Sequence, residues 1–157
     1  MKFLTRLMPI ISWGIKILLR IGVRMTIFGP MMLLTVRGRK TGKPRTVPVD
    51  IHEHDGRRFL IATHGVGNWV YNLRATGEGM LSLGWSRQAF TAVELTPEAA
   101  RPVIKEIMGP LLASQGVRGS ALRQNIGVTA DASLDDFINA ARSHPVFELG
   151  YSDKLSS

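Results

Sequence analysis

Residues 34–49 read LTVRGRKTGKPRTVPV and form the most distinctive stretch of the chain. Five cations fall within positions 37–45, and two glycines and the hydroxyl groups of Thr41 and Thr46 stand among them. Glycines permit a tight turn with exposed N–H groups, while cations and hydroxyls donate hydrogen bonds to phosphate oxygens. On composition alone, the stretch is either a phosphate-binding loop, a solvated basic turn or a contact for nucleic acid.

Two common phosphate-binding motifs are excluded by spacing. Gly38 and Gly42 are four residues apart and Lys43-Pro44 follows, so the pattern G-x-x-x-x-G-K-[ST] is not matched. No β–α–β unit surrounds the glycines, which excludes the dinucleotide-binding fingerprint.

Short strands joined by tight turns are predicted on both sides of this stretch. Asp55-Gly56 is a strong hairpin signal, and Thr96-Pro97 is typical of a helix start. Strands are predicted at 31–36, 45–53, 58–63, 80–83, 88–95 and 145–149. Helices are predicted at 69–75 with Asn68 as N-cap, at 97–108, near 110–115 and at 134–142. The order indicates an α+β fold, with a mostly antiparallel sheet or small barrel and flanking helices.

The positive charge is concentrated at the start of the chain. The net charge is +8, and residues 1–49 hold ten basic residues and no acidic one. Such asymmetry indicates an anionic partner: a membrane surface, a nucleic acid or a phosphorylated small molecule. Nucleic acid is not expected, because no aromatic residue lies between Phe28 and Phe59 to stack on bases. Cysteine is absent, which excludes disulfide scaffolds and thiolate sites and fits a cytoplasmic protein.

Residues 1–29 are predicted to form a basic amphipathic helix that precedes a domain spanning 30–157. At 100° per residue, one arc of about 80° holds Trp13 and the cations Lys2, Arg6, Lys16, Arg20 and Arg24. These charges interrupt every apolar window long enough to span a membrane. The helix either packs on its own domain with the basic stripe in water, or lies against the inner face of the cell membrane.

The motif Leu-Thr-x-x-Gly-Arg-Lys-Thr-Gly-x-Pro-Arg-Thr-x-Pro at 34–48 resembles the signature of the deazaflavin (coenzyme F420)-dependent nitroreductase family, also called the F420-dependent quinone reductase family. Further matches stand at 59–63, 68–75 and 144–149. The resemblance implies a split β-barrel. It also implies an oxidoreductase that passes a hydride from reduced coenzyme F420 to an electron-poor acceptor such as a quinone, an enone or a nitro compound.

The resemblance also implies a set of cofactor-binding residues, but it assigns no catalytic residue. The turn would hold the phosphodiester and polyglutamate tail of the cofactor with Arg39, Lys40, Thr41, Gly42, Pro44 and Arg45. The deazaflavin ring would lie against Thr46, Pro48, Ala62, Thr63, His64 and Gly65. The pocket would be closed by Asn68, Trp69 and Asn72. FMN is the alternative cofactor, and a non-catalytic deazaflavin-, flavin- or haem-binding module is the alternative function.

Two histidines raise the question of a metal site. His52 and His54 are two residues apart on a predicted strand and therefore share a face. No third or fourth ligand is evident in the sequence, so an exposed strand end without a metal is expected. His64 is considered both as a proton donor near the cofactor and as a plain loop residue.

Overall fold

The protein folds around a closed barrel of six antiparallel strands. The computed structural model describes residues 2–151, with side chains from residue 9 onward. The strands are β1 (Met31–Arg37), β2 (Pro44–His54), β3 (Arg57–Ile61), β4 (Glu78–Leu83), β5 (Ser86–Glu94) and β6 (Val146–Tyr151). Around the barrel they run β1-β2-β3-β6-β5-β4. The predicted α+β split barrel is therefore confirmed.

Hairpin turns set the register, as the sequence predicts. Residues Asp55 and Gly56 both have positive φ, 51° and 70°, and connect β2 to β3 as a two-residue turn. Strand β2 pairs with β1 up to Asp50 and with β3 from Ile51 onward. Pro48, which lacks an N–H, therefore lies where only one side of β2 is paired.

Five helices surround the barrel within residues 2–151. They are α1 (Lys2–Arg20), α2 (Asn68–Thr76), α3 (Pro97–Leu112), α4 (Val117–Ile126) and α5 (Leu134–Ser143). Within residues 2–151, no helix is both long and apolar enough to cross a membrane.

The region after α3 departs from the prediction of a helix near 110–115. Helix α3 continues through Pro110 to Leu112, because Met108 and Leu112 are buried and their packing outweighs the proline. Helix α4 then occupies a stretch that the sequence suggests is mostly loop. Gly119 allows α4 to pack closely on the end of α3. A Cβ at this position would clash with the Leu111 carbonyl oxygen, from which it would lie only 2.6 Å away.

Two apolar cores share the barrel wall. The interior core is filled by residues such as Leu34, Leu60 and Phe147, while the alternate residues Phe59 and Ile61 face the helices α3, α4 and α5. This alternation follows from the two-residue period of a strand. Both faces of β3 are consequently buried.

Helix α1 is shorter than predicted and packs on the barrel. It ends at Arg20, because Gly22 adopts a left-handed φ of 89° and the N–H groups of Gly22 and Val23 bond back to the carbonyls of Leu19 and Leu18. Arg24 therefore lies outside the helix. Leu19 is fully buried against Met31 and Leu33 of β1. The side chains of Lys2 and Arg6 lie outside the described residues.

Candidate functional site

The basic turn between β1 and β2 is a tight loop closed by its own backbone. The N–H of Gly38 donates to the Lys43 carbonyl oxygen at 2.8 Å, and the N–H of Gly42 donates to the Gly38 carbonyl oxygen at 2.8 Å. Gly42 needs its φ of 68°, and a Cβ on Gly38 would lie 3.0 Å from the Lys43 oxygen. Both glycines are therefore required by the shape of the turn.

Helix α2 holds the side chain of Arg39, a cation of this turn, in place. The guanidinium of Arg39 donates to Asn72 Oδ1 at 2.8 Å, and the Arg39 backbone N–H donates to the same oxygen at 3.2 Å. The guanidinium also lies 5.0 Å from the ring centroid of Tyr71. Asn72 is only 4% exposed, so Arg39 is held from a buried anchor. Such a pre-positioned guanidinium loses little entropy when it binds an anion.

Asn68 does not cap helix α2, contrary to the prediction. The N-cap is Gly67, without a side-chain capping bond, and Asn68 is the first residue of the helix. The Asn68 carbonyl oxygen and Oδ1 instead lie 3.5 Å from guanidinium nitrogens of Arg39. Asn68 thus supports the basic turn rather than the helix end.

A groove of about 650 Å³ opens beside the basic turn. Five cations line it, three from the turn region and two from helix α1: Arg39, Lys40, Arg45, Lys16 and Arg20. The other lining residues are Val36, Gly38, Thr41, Pro44, Thr46, Val47, Asn68, Trp69 and Asn72. Among the described residues, no carboxylate lines the groove, and its five cations make its potential strongly positive.

Lys16 and Arg20 were not expected in this groove. The sequence places them on one helix face, four residues apart, but offers only water or lipid headgroups as their surroundings. The packing of Leu19 on the barrel turns this basic face toward the basic turn instead. The sequence does not show the angle at which α1 packs on the barrel, because contacts between residues distant in sequence determine that angle.

A second cavity of about 410 Å³ adjoins the groove, and Trp69 lines both. Its walls are mainly apolar and come from α1, the loop after it, β2, the loop after β3 and α4. The lining residues are Ile11, Ser12, Ile15, Ile27, Phe28, Met31, Pro48, Val49, Asp50, Ile61, Ala62, Thr63, His64, Gly65, Trp69, Ala121 and Asn125. Helix α1 thus forms a wall of both cavities.

Two titratable side chains lie in the apolar cavity. Burial raises the pKa of Asp50 from 3.8 to about 6, although the N–H of Gly29, 3.4 Å from Asp50 Oδ1, and the charge of Arg118 oppose the shift. His64 Nδ1 is 3.2 Å from the Thr63 hydroxyl, and its ring lies 6.1 Å from that of Phe28.

The structure brings the predicted site residues together in these two neighbouring cavities. Of the fifteen, fourteen line the groove or the apolar cavity, and the remaining one, Gly42, shapes the turn. Their roles in binding stay predictions.

The expectation of an exposed strand end at the two histidines is wrong for one of them. His52 is only 4% exposed, because Gly29 brings the chain directly over its ring. His54 is partly exposed and contacts Glu106 of α3, which sequence spacing gave no reason to consider.

The closed barrel carries a cationic groove and a mainly apolar cavity, and Trp69 lines both of them. Comparison with known families shows which class of protein this is. The model of the F420H(2)-dependent quinone reductase family matches residues 17–132, and the chain belongs to this family. It is therefore an oxidoreductase that uses coenzyme F420. No curated protein matches the sequence significantly.

Solved structures show similar chains. An F420-H2 dependent reductase is 22% identical, with 76% of this chain and 93% of that chain covered and a TM-score of 0.42. An FAD-binding protein from Mesorhizobium loti is 13% identical over 78% and 81%, with a TM-score of 0.47. A protein of unknown function from Agrobacterium tumefaciens is 12% identical over 88% and 53%, with a TM-score of 0.51. At that identity, the last similarity concerns the fold alone.

The residues present fit coenzyme F420. Its phosphodiester and carboxylates need cationic and hydroxyl donors. The described residues of the groove supply these donors without a competing carboxylate. Its planar ring needs an apolar slot, which begins at Trp69, where the two cavities meet.

Proposed function

We propose that the protein reduces a quinone, with the anionic arm of coenzyme F420 in the cationic groove and the acceptor in the apolar cavity. The meeting of the two cavities at Trp69 is the observation that supports this arrangement. Reduced coenzyme F420 supplies a hydride from carbon 5 of its deazaflavin ring. A quinone needs one further proton to become a hydroquinone.

The groove residues provide binding and orientation. Arg39, held by Asn72, offers a fixed guanidinium for a phosphate oxygen, and Lys40 and Arg45 add charge beside it. We assign Lys16 and Arg20 to the outer part of the arm, because both line the groove together with the cations of the basic turn. Helix α1 and the barrel would then form one binding unit rather than two separate domains.

The apolar cavity provides exclusion of water and a place for the proton. Ile11, Ile15 and Phe28 line this cavity, and an apolar lining that excludes water keeps the transferred hydride from side reactions. The carboxyl group of Asp50 can hold a proton there, since its raised pKa keeps part of it protonated near neutral pH. His64 is the other titratable side chain lining this cavity among the described residues.

The direct test is a fluorescence titration with oxidised coenzyme F420, beside FMN at equal concentration. We expect saturable binding of coenzyme F420 but not of FMN, and weaker binding of coenzyme F420 by the Lys40→Ala variant. Lys105→Ala, at an exposed position of α3, is the matched control. Multiple turnovers with a soluble naphthoquinone would distinguish an enzyme from a binding module. Preference for FMN, or an equal loss in both variants, would contradict the proposed site.

We also propose that helix α1 places the protein on a membrane surface, where lipophilic quinones are found. Ile10 and Trp13 are 64% and 67% exposed, and Ile10 lies on the face opposite Leu19. Beyond the helix end, Ile21 and the fully exposed Trp85 adjoin the close contact between Gly22 and Gly84. Exposed large apolar side chains near one end of a basic amphipathic helix are typical of a membrane-surface contact.

Co-sedimentation with anionic vesicles tests this surface. Substitution of Trp13→Ser and Trp85→Ser together should reduce the bound fraction severalfold, because two large interfacial aromatics are lost. Val93→Ser on β5, where Val93 is 66% exposed, is the matched control. Undiminished sedimentation of the double variant would contradict the membrane proposal.

A further inference from the structure

The chain that follows β3 lines the apolar cavity, and a buried histidine from another part of the fold is bonded to it. Residues 61–65 all line the cavity of about 410 Å³. His144, which directly follows α5, is only 7% exposed, and its Nδ1 lies 2.9 Å from the Ala62 carbonyl oxygen. Because a carbonyl oxygen can only accept, Nδ1 carries the proton and donates this hydrogen bond.

The Ala62 carbonyl oxygen also closes the turn formed by residues 62–65. The N–H of Gly65 donates to this oxygen at 2.9 Å, and Gly65 has a left-handed φ of 82°. The oxygen therefore accepts one bond from Gly65 and one from His144, which uses both of its lone pairs. A single atom thus joins the closure of the 62–65 turn to the position of the imidazole ring.

The backbone on both sides of His144 is fixed. Its own N–H donates to the Ala140 carbonyl oxygen in the last turn of α5 at 2.8 Å. The carbonyl oxygen of Pro145, the next residue, accepts from the Ala62 N–H at 2.9 Å, and β6 then begins beside β3. The imidazole therefore reaches Ala62 from a position that both α5 and the barrel hold.

The 62–65 turn lies next to the loop at 27–29, part of which lines the same cavity. The ring centroid of His64 is 6.1 Å from that of Phe28. A shift of the turn would change the shape of the cavity between these two segments. The position of a bound acceptor would change with it, and a misplacement of about 1 Å can lower a rate about 100-fold.

We propose that His144 is a positioning residue for the electron acceptor, because its imidazole holds the 62–65 turn and the turn shapes the apolar cavity. His144 does not itself line the cavity, so it acts through the turn and not on the acceptor. The link to the acceptor rests on the proposed function, which places the acceptor in this cavity. The hold on the turn concerns the protein without any ligand.

Amide hydrogen exchange of the ligand-free full chain tests the hold on the turn. His144→Leu removes the donor, whereas His144→Asn keeps a side-chain N–H close to the place of Nδ1. The Gly65 amide should exchange about fivefold faster in His144→Leu, because one hydrogen bond that supports the turn is lost, and should return close to the wild-type rate in His144→Asn. Gly77, whose N–H donates to the Leu73 carbonyl oxygen at 2.8 Å, is the control amide and should not change.

Two results of this experiment would overturn the proposal. An unchanged Gly65 rate in His144→Leu would show that the imidazole does not hold the turn. Equal acceleration at Gly65 and Gly77 would show a general loss of stability instead of a local one.

Steady-state kinetics with reduced coenzyme F420 and a soluble naphthoquinone test the link to the acceptor. The kcat/KM for the quinone should fall about tenfold in His144→Leu and recover in His144→Asn. The Kd for coenzyme F420 should not change, because none of residues 61–65 lines the cationic groove. His54→Leu, a histidine substitution outside both cavities, is the matched control.

An unchanged kcat/KM in His144→Leu, or no recovery in His144→Asn, would overturn the positioning role. A wild type without turnover would contradict the proposed function and, with it, the link to the acceptor. The exchange rate of Gly65 would still decide whether His144 holds the turn.

Discussion

Removal of the two α1 cations should weaken cofactor binding without altering the barrel. Lys16 is half-buried and Arg20 is exposed, and both line the groove opposite the basic turn. Exposed ion pairs contribute about 0.2–1 kcal/mol each, so Lys16→Gln with Arg20→Gln should cost about 1 kcal/mol in total. That corresponds to about a fivefold increase in the Kd for coenzyme F420.

The assay is a fluorescence titration of coenzyme F420 at low and high salt, with Arg24→Gln as the matched control. Arg24 carries the same charge and lies after the same helix, but it does not line the groove. The loss should shrink at high salt, because screening weakens exposed pairs, and should vanish for a cofactor without its glutamates. An unchanged Kd in the double variant, or the same loss in Arg24→Gln, would refute the assignment of Lys16 and Arg20.

Three other outcomes are expected. Asn72→Ala should weaken cofactor binding about tenfold in the same titration, because it releases the guanidinium of Arg39. An increase in Kd no larger than that caused by Thr76→Ala would contradict this role of Asn72. Asp50→Asn should stabilise the protein by at most about 3 kcal/mol at pH 8 and not at pH 3, measured by denaturant unfolding. The unfolded chain loses the Asp50 proton near pH 3.8, whereas the folded chain keeps it to about pH 6. The free energy of unfolding of the wild type therefore falls as the pH rises between these values. If the variant and the wild type differed in stability by the same amount at both pH values, burial would not be destabilising the Asp50 carboxylate. Gly42→Ala should destabilise the basic turn and weaken cofactor binding, because Gly42 has a left-handed backbone conformation. Gly109→Ala, at a helical position with free space around it, should do neither. Equal effects of the two substitutions would show that the turn does not require a glycine at position 42.

The barrel could be predicted because its signals are local. Asp55-Gly56 specifies a two-residue turn, strand residues alternate, and Thr96-Pro97 and Ser133 begin helices where the structure has them. Helix α4 could not be predicted, since its polar sequence shows no apolar periodicity. It exists because Gly119 permits close packing on the end of α3, and that contact is not visible along the chain.

The candidate site shows the same division between local and distant contacts. The turn residues could be identified from a continuous motif, and so could the block around Trp69. Lys16, Arg20 and Asp50 could not, because their places in the two cavities depend on how α1 and the loop at 27–29 pack on the barrel. Glu106 stands 52 residues after His54, so the spacing of the histidines could not point to it.

Helix α1 connects the two cavities with the outer surface, and its geometry explains why one short segment needs three kinds of residue. Its inner face, with Leu19, secures it to β1; a second face, with Lys16 and Arg20, closes the groove and also carries Trp13; and a third, with Ile10 and Ile17, points outward. If the third face lies on a membrane, the same helix that closes the cofactor groove also holds the apolar cavity, which Ile11 and Ile15 line, close to the membrane surface. Substitutions on the inner face should therefore impair cofactor binding and membrane contact together, whereas substitutions on either of the other faces should impair one alone.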